Sequence, residues 1–242
     1  LSVVVPVYRC AGSLHELHRR VRASLDQLNV PLELVFVDDR SADGSWSMLC
    51  DLAARDSDVR GLRLSRNFGQ HAAITAGIEQ STGAWIVVMD CDLQDPPEDI
   101  VRLYEKALEG YSIVYARRLA KRMPFSRRTL GRVYSTLMRL FGGVRLDGSY
   151  GSFSIISRPV ADAFLRLRDQ DRHYTLILQW LGYDHATIDY EPATREFGAS
   201  SYTLRALIAH ALEGVFFQTT VLLRAVVYLG FALSAAGLGL AI

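Results

Sequence analysis

The sequence is poor in lysine, with only Lys106 and Lys121 set against many arginines. Cysteine is equally scarce. Cys10, Cys50 and Cys91 are odd in number and widely spaced, which excludes a disulfide-framed small fold and any Cys-based metal knuckle. Reduced thiols in a cytosolic compartment are expected instead. Net charge is nearly absent, at +1 with a pI near 7.9, so any electrostatic function must come from local clusters. Repeats and low-complexity tracts are missing, and half of the 242 residues are hydrophobic, which excludes disorder and collagen-like arrays. That length suits one sizeable domain with an appendage. Leu1 runs straight into Ser2-Val3-Val4-Val5-Pro6-Val7 with neither Met nor signal peptide, from which a trimmed natural N-terminus is expected.

Acidic residues are lacking in one long interval. Between Glu109 and Asp147 none occurs, while Arg117, Arg118, Lys121, Arg122, Arg127, Arg128, Arg132, Arg139 and Arg145 all fall there. Leu130, Val133, Tyr134, Leu137, Met138 and Phe141 recur inside it at three- and four-residue spacing, which predicts a basic amphipathic helix suited to an anionic membrane surface. Charge is also absent from Ala225 to Ile242, AVVYLGFALSAAGLGLAI, close to the roughly 20 residues that span a bilayer as a helix. This segment reads as a transmembrane helix after the flanking Arg224, with more protein expected beyond Ile242.

Up to about residue 116, short β-branched runs alternate with stretches of helical period, the pattern of an α/β sheet with mostly parallel strands. The predicted strands are Ser2–Tyr8, Leu32–Asp38, Val59–Ser65, Ala84–Met89 and Ser112–Tyr115. Helices fill the gaps. Gly12-Ser13 precedes Leu14–Leu28, Asp43-Gly44-Ser45 precedes Trp46–Ala54, and Pro96-Pro97-Glu98 opens Asp99–Leu108. Beyond Asp147 the pattern predicts a strand Ser152–Ser157, a short helix from Pro159, a helix around Tyr174–Leu181, a strand His185–Tyr190, a glycine-serine loop and a helix Thr203–Glu213.

In such sheets ligands bind outside the carboxyl ends of the strands. Two carboxylate clusters sit there. In VVMDCDLQDPPED, an apolar strand delivers Asp90 and Asp92 into a turn closed by prolines, an arrangement that can hold a hard divalent cation shared with substrate phosphates. Asp92 is the direct ligand in this reading, Gln94 offers a carbonyl oxygen, and Asp90 can hydrogen-bond a sugar or ribose hydroxyl. In LVFVDDRSADGSW, one of Asp38 and Asp39 is expected to serve a base or ribose and the other to be structural.

These residues resemble the inverting family-2 glycosyltransferases of GT-A fold, and within them the polyprenyl-phosphate, dolichol-phosphate-mannose-synthase-like enzymes. The resemblance spans nearly the whole chain. It rests on VVVPVY, VDDRSADGS, LSRNFGQHAAITAGIEQSTGAWIVVMDCDLQDPPE, the arginines of YARR and the loop REFGASSY. It implies a GT-A catalytic domain over residues 1–202, with 117–141 as a membrane-interface region, followed by an interface helix and membrane segment over 203–242. It implies that Pro6 and Tyr8 line the base pocket, that Asp39 contacts base or ribose, and that Asp90, Cys91 and Asp92 form the metal and diphosphate site with help from Gln94. Arg117 and Arg195 would bind phosphates.

Two positions depart from the family pattern. Arg9-Cys10 stands where Asn-Glu is usual, and Ser201 occupies the place of a lysine in the phosphate-binding loop. The implied reaction is sugar transfer from a UDP- or GDP-sugar to a polyprenyl phosphate, with Mg2+ or Mn2+ as cofactor. The implied location is the cytoplasmic face of a bacterial inner membrane, among membrane lipids, and homo-oligomerisation is compatible with it. Two alternatives stay open: a family-2 enzyme acting on a hydroxyl acceptor, with Asp147 or Asp171 as base, and a non-catalytic nucleotide-sugar-binding subunit.

Overall fold

The structure, a computed structural model, describes residues 1–119, 150–167, 172–193, 227–231 and 237. Two compact units emerge, one of Leu1–Lys121 with Ser149–Ala199 and one of Arg122–Gly148 with Ser200–Ile242. The basic helix, the Thr203–Glu213 helix and most of Ala225–Ile242 lie outside the described residues. Among those that are described, no helix is long and apolar enough to cross a membrane. Residues 227–231 are helical, with Val227, Tyr228, Leu229 and Phe231 exposed.

The described residues of the first unit form seven strands: β1 (Ser2–Val7), β2 (Glu33–Asp38), β3 (Val59–Arg63), β4 (Trp85–Val88), β5 (Ile113–Arg118), β6 (Tyr150–Ser157) and β7 (His185–Tyr190). Their order is β3-β2-β1-β4-β6-β5-β7. Each of the first five lies within a few residues of its predicted span. β1 is buried along its whole length, as a central strand covered on both faces must be, which is why it reads as an unbroken apolar run. All adjacent pairs are parallel except those of β6 with β4 and with β5. Tyr150 is the register partner of Arg117, so the chain re-enters the sheet at the edge where β5 left it. A strand entering from that edge must run antiparallel.

Among the described residues, six helices cover the sheet: α1 (Leu14–Leu25), α2 (Ser45–Arg55), α3 (Gln70–Gln80), α4 (Asp99–Leu108), α5 (Arg158–Arg166) and α6 (Tyr174–Leu181). Strand period divides the core between the faces. Val3, Val5 and Val7 join Leu14, Leu17, Leu49, Ile100 and Leu103 in one buried cluster, under α1, α2 and α4. Val4 points to the opposite face, where α3 packs with α5 and α6. The predicted helix Leu14–Leu28 ends instead at Leu25, continuing as a 3-10 turn from Asp26 to Leu28.

Helix α3 explains the spacing of AITAG in the sequence. Ala73 and Gly77 are one helical turn apart and both buried. A Cβ on Gly77 would lie 2.3 Å from Val4 Cγ1 and 3.2 Å from Val37 Cγ2. Only glycine lets the helix approach β1 and β2 so closely.

Candidate active site

The carboxyl ends of β1, β2, β4, β5 and β7 share one edge of the sheet, and the residues that follow them gather there. Tyr8, 41% exposed, carries the Arg9 guanidinium 5.2 Å from its ring centre. Arg9 adopts φ 57°, a left-handed conformation uncommon for a residue with a side chain. Three consecutive amides leave this turn toward the β2–α2 loop: Arg9 donates to Ser41 Oγ, Cys10 to Ser45 Oγ and Ala11 to Asp43 Oδ2. Pro6 lies buried one register step below, within β1.

Asp38 and Asp39 divide by strand period. The side chain of Asp38 is fully buried, accepts the Ser41 amide at 2.9 Å and pairs with Arg63 Nε at 3.1 Å. Asp39, 3% exposed, accepts the Phe68 amide at 2.7 Å on one oxygen and the Gly69 amide at 2.9 Å on the other. Burial raises its pKa, and the two amides oppose that rise. Gly69 stands at φ 94°, accessible essentially to glycine alone, so RNFG is the sequence form of a loop folded onto Asp39. A carboxylate has about four acceptor positions, so Asp39 can hold this loop and still accept from a ligand hydroxyl.

The turn after β4 is tied from several elements. Asp90 Oδ1 accepts from Gln70 Nε2 at 2.7 Å and from Ser152 Oγ at 2.8 Å. Burial first, then the charges of Asp95 and Asp92, push its pKa up to about 7. Asp92 Oδ1 accepts the Gln94 amide at 3.1 Å, and Leu93 between them has φ 61°. Among the described residues no three or more His, Cys, Asp or Glu side chains form a metal cage. Asp90 and Asp92 nevertheless fit a hard cation shared with a diphosphate, which takes only one or two protein carboxylates. The mutual repulsion that raises Asp90 is what such a cation relieves.

Cysteine is where the sequence expectation is corrected. Cys10 and Cys91 are not reduced but joined as a disulfide, with Cα atoms 6.2 Å apart, leaving Cys50 as the free thiol. The two are 81 positions apart in the chain, but β1 and β4 are paired neighbours, so the loops that leave them meet. Parity and spacing carry no information about that meeting.

Both arginines of YARR lie at the edge and point to opposite faces. Arg117 forms a two-point pair with Asp189, at 2.6 and 3.0 Å. Arg118, half-buried, continues the Val114–Ala116 face to the underside of the β4 turn. There its Nη2 donates to Asp95 at 2.8 Å and its Nε to the Tyr190 hydroxyl at 2.6 Å, while that hydroxyl donates to Asp95 at 2.5 Å. Asp95 is fully buried, and the Ala193 amide closes the cluster on Gln94 O at 3.0 Å. Sequence reasoning had no role for Asp95, Tyr190, Gln70 or Ser152, and it assigned Arg117 and Arg118 to the basic interface region, whereas both end strand β5. The doubled arginine was the available signal, but which of the pair faces the turn depends on the register of β5. Arg195, Ser201, Asp147 and Asp171 lie outside the described residues.

The pattern of "Glycosyl transferase family 2" matches residues 2–165. The chain is 36% identical to the undecaprenyl-phosphate 4-deoxy-4-formamido-L-arabinose transferase of Pseudomonas fluorescens (strain SBW25) over 239 residues, 98% of this chain and 70% of that protein. It is 32% identical to the uncharacterized glycosyltransferase YkcC of Bacillus subtilis (strain 168) over 237 residues, 98% of this chain and 73% of the relative. Solved structures share the fold. Glucosyl-3-phosphoglycerate synthase from Mycobacterium tuberculosis, in complex with Mn2+, UDP and phosphoglyceric acid, superposes with a TM-score of 0.59 at 17% identity, over 87% of this chain and 74% of that one. The mannosyltransferase PcManGT from Pyrobaculum calidifontis, in complex with GDP-Man and Mn2+, gives 0.53 at 18% identity, over 99% and 79%. The matched family pattern runs through the Asp39 tether and the Asp90–Asp95 turn, and the chain belongs to glycosyl transferase family 2.

Proposed function

We propose that this glycosyltransferase moves a sugar from a nucleotide-diphospho-sugar to a polyprenyl phosphate, with inversion at the anomeric carbon. The observation that carries this reading is the 36% identity, across 98% of the chain, to a transferase named for undecaprenyl phosphate. Phosphate is already anionic at neutral pH, so a strong general base is dispensable and the protein's task is positioning and charge neutralisation. Pro6 and Tyr8 line the base pocket, and Asp39 accepts from base or ribose while holding the Phe68–Gly69 loop. Asp92, with Gln94 and Asp90, holds a divalent cation, Mg2+ or Mn2+, which when bound supplies positive charge to the departing diphosphate. Cys91 sets the spacing of the two carboxylates. Arg195, in the same loop sequence as Ser201, offers a planar fork to phosphate oxygens, and Arg117, whose fork is held by Asp189, does so on exchanging that carboxylate for phosphate.

The acceptor places the enzyme at a membrane. The acid-free basic stretch that follows β5, from Lys121 onward, and the exposed apolar side chains of 227–231 support that placement, on the cytoplasmic face of a bacterial inner membrane. The test is transfer of radiolabel from a panel of UDP- and GDP-sugars to undecaprenyl phosphate, in membranes containing the full chain. Labelled lipid that disappears with EDTA, and that falls about 100- to 1,000-fold with Asp92→Ala, is the expected result. Donor turnover with a hydroxyl acceptor and none with the lipid would overturn the acceptor assignment.

A further inference from the structure

The bridge between Cys10 and Cys91 joins two loops that no backbone hydrogen bond of the sheet joins. Cys10 follows Tyr8 and Arg9 at the end of β1, and Cys91 is the central residue of Asp90-Cys91-Asp92. The linkage therefore spans from the turn beside the base pocket to the turn that carries the cation-binding carboxylates. Both turns hold a residue with a side chain in the left-handed region, Arg9 at φ 57° and Leu93 at φ 61°. Such conformations persist where the surroundings over-determine them. Ser13 is the other tie between the loops: its hydroxyl lies 2.6 Å from Cys91 O and 3.0 Å from Cys10 O. Because Ser13 needs no oxidation, the loops stay neighbours when the bridge opens, and what changes is the stiffness of their spacing.

We propose that Cys10 and Cys91 form a reversible thiol–disulfide modification site, and that its oxidised state binds the nucleoside diphosphate part of the donor more tightly than its reduced state. The second half rests on the nucleotide-sugar reading above. The reactant is a low-molecular-weight disulfide of the glutathione type. The Cys10 thiolate, the less buried of the two, attacks one sulfur of that disulfide and releases one small thiolate. The Cys91 thiolate then attacks Cys10 Sγ in the mixed disulfide, forming the bridge and releasing the second small thiolate. Two electrons pass from the protein thiols to the small disulfide, and the two protons end on the released thiols. A dithiol reductant runs the exchange backward. Oxidation stiffens both sides of the cleft before the ligand arrives, so less ordering remains to be done on binding. Cys50, exposed on α2, takes no part.

The experiment uses the full chain in detergent, equilibrated in glutathione buffers from fully reduced to fully oxidised. Alkylation with iodoacetamide followed by mass analysis is expected to count three reactive thiols at the reduced end and one, Cys50, at the oxidised end. Calorimetric titration with UDP and with GDP, each with Mn2+, is expected to give affinity at least about fivefold higher at the oxidised end for the nucleotide that binds. Cys10→Ser should hold the reduced-state affinity in every buffer, and Cys50→Ser should keep the full shift. Three reactive thiols in all buffers would overturn the proposal, as would a bridge that forms while the affinity stays the same or falls. Cys10→Ser that still responds to glutathione would overturn it too. A bridge that follows the buffer while neither nucleotide binds in any state would overturn the nucleotide-sugar reading, and with it the coupling, while leaving the thiol chemistry standing.

Discussion

At the scale of single residues, charge is handled by pairing buried carboxylates with neighbours that cannot easily leave. Asp95 is fully buried, and among the described residues its ion-pair partner is Arg118, so removing that cation strands a buried charge. Arg118→Ala is expected to lower the unfolding free energy by about 3 kcal/mol, read from urea denaturation. Adding Asp95→Asn removes the stranded charge and should recover part of the loss. Recovery separates the charge argument from mere loss of packing. Asp56 works differently. The Arg22 guanidinium, His18 Nε2 at 2.7 Å and the Asp58 amide together hold its pKa down to about 2, from an ordinary 3.8. A carboxyl whose folded pKa lies below its unfolded one stabilises at pH above the unfolded value, and that contribution fades as pH falls through the folded one. Asp56→Ala should therefore cost about 2 kcal/mol near neutrality, with the gap from the parent closing between about pH 4 and pH 2.

At the scale of elements, the cleft depends on how closely α3 lies on β1 and β2. Its N-terminal loop is the one held by Asp39, and its first residue, Gln70, holds Asp90. One helix thus carries the tether of one carboxylate cluster and the orienting donor of the other. Gly77→Ala would force a methyl to within 2.3 Å of Val4 Cγ1, in a layer with no room to yield. The expected result is a loss of about 1 to 3 kcal/mol in thermal unfolding, with donor binding weakened at temperatures where the variant is still folded. An equal loss of stability with unchanged donor affinity would separate α3 from the site. Most strands and helices were legible in the sequence because apolar period reports burial directly. The direction of β6 was not. It follows from where the chain re-enters the sheet, and no period records that. The start of α3 escaped as well, because its signal is a glycine at φ 94° rather than a capping side chain.

At the scale of the whole molecule, the reaction needs a protein held at the depth of a lipid phosphate. Beyond Arg117 and Arg118, which pair with Asp189 and Asp95, seven basic residues from Lys121 to Arg145 follow with no acid among them. The full chain should therefore sediment with vesicles rich in phosphatidylglycerol more strongly than with neutral vesicles. Added salt should weaken the electrostatic share of that binding within a Debye length of about 10 Å at 0.1 M. Binding indifferent to both lipid charge and salt would remove the basic stretch from the membrane argument. The amino-acid sequence by itself determined the sheet's apolar strands, the carboxylates at their ends and the family, because burial patterns and motif residues are written locally along the chain. Only the tertiary structure decided that Asp39 ties down the Phe68–Gly69 loop, that Arg118 rather than Arg117 pairs with Asp95 beneath the β4 turn, and that Cys10 meets Cys91. Each of these joins positions between 23 and 81 residues apart or depends on strand register, and such distances close only when paired strands bring their loops to one edge.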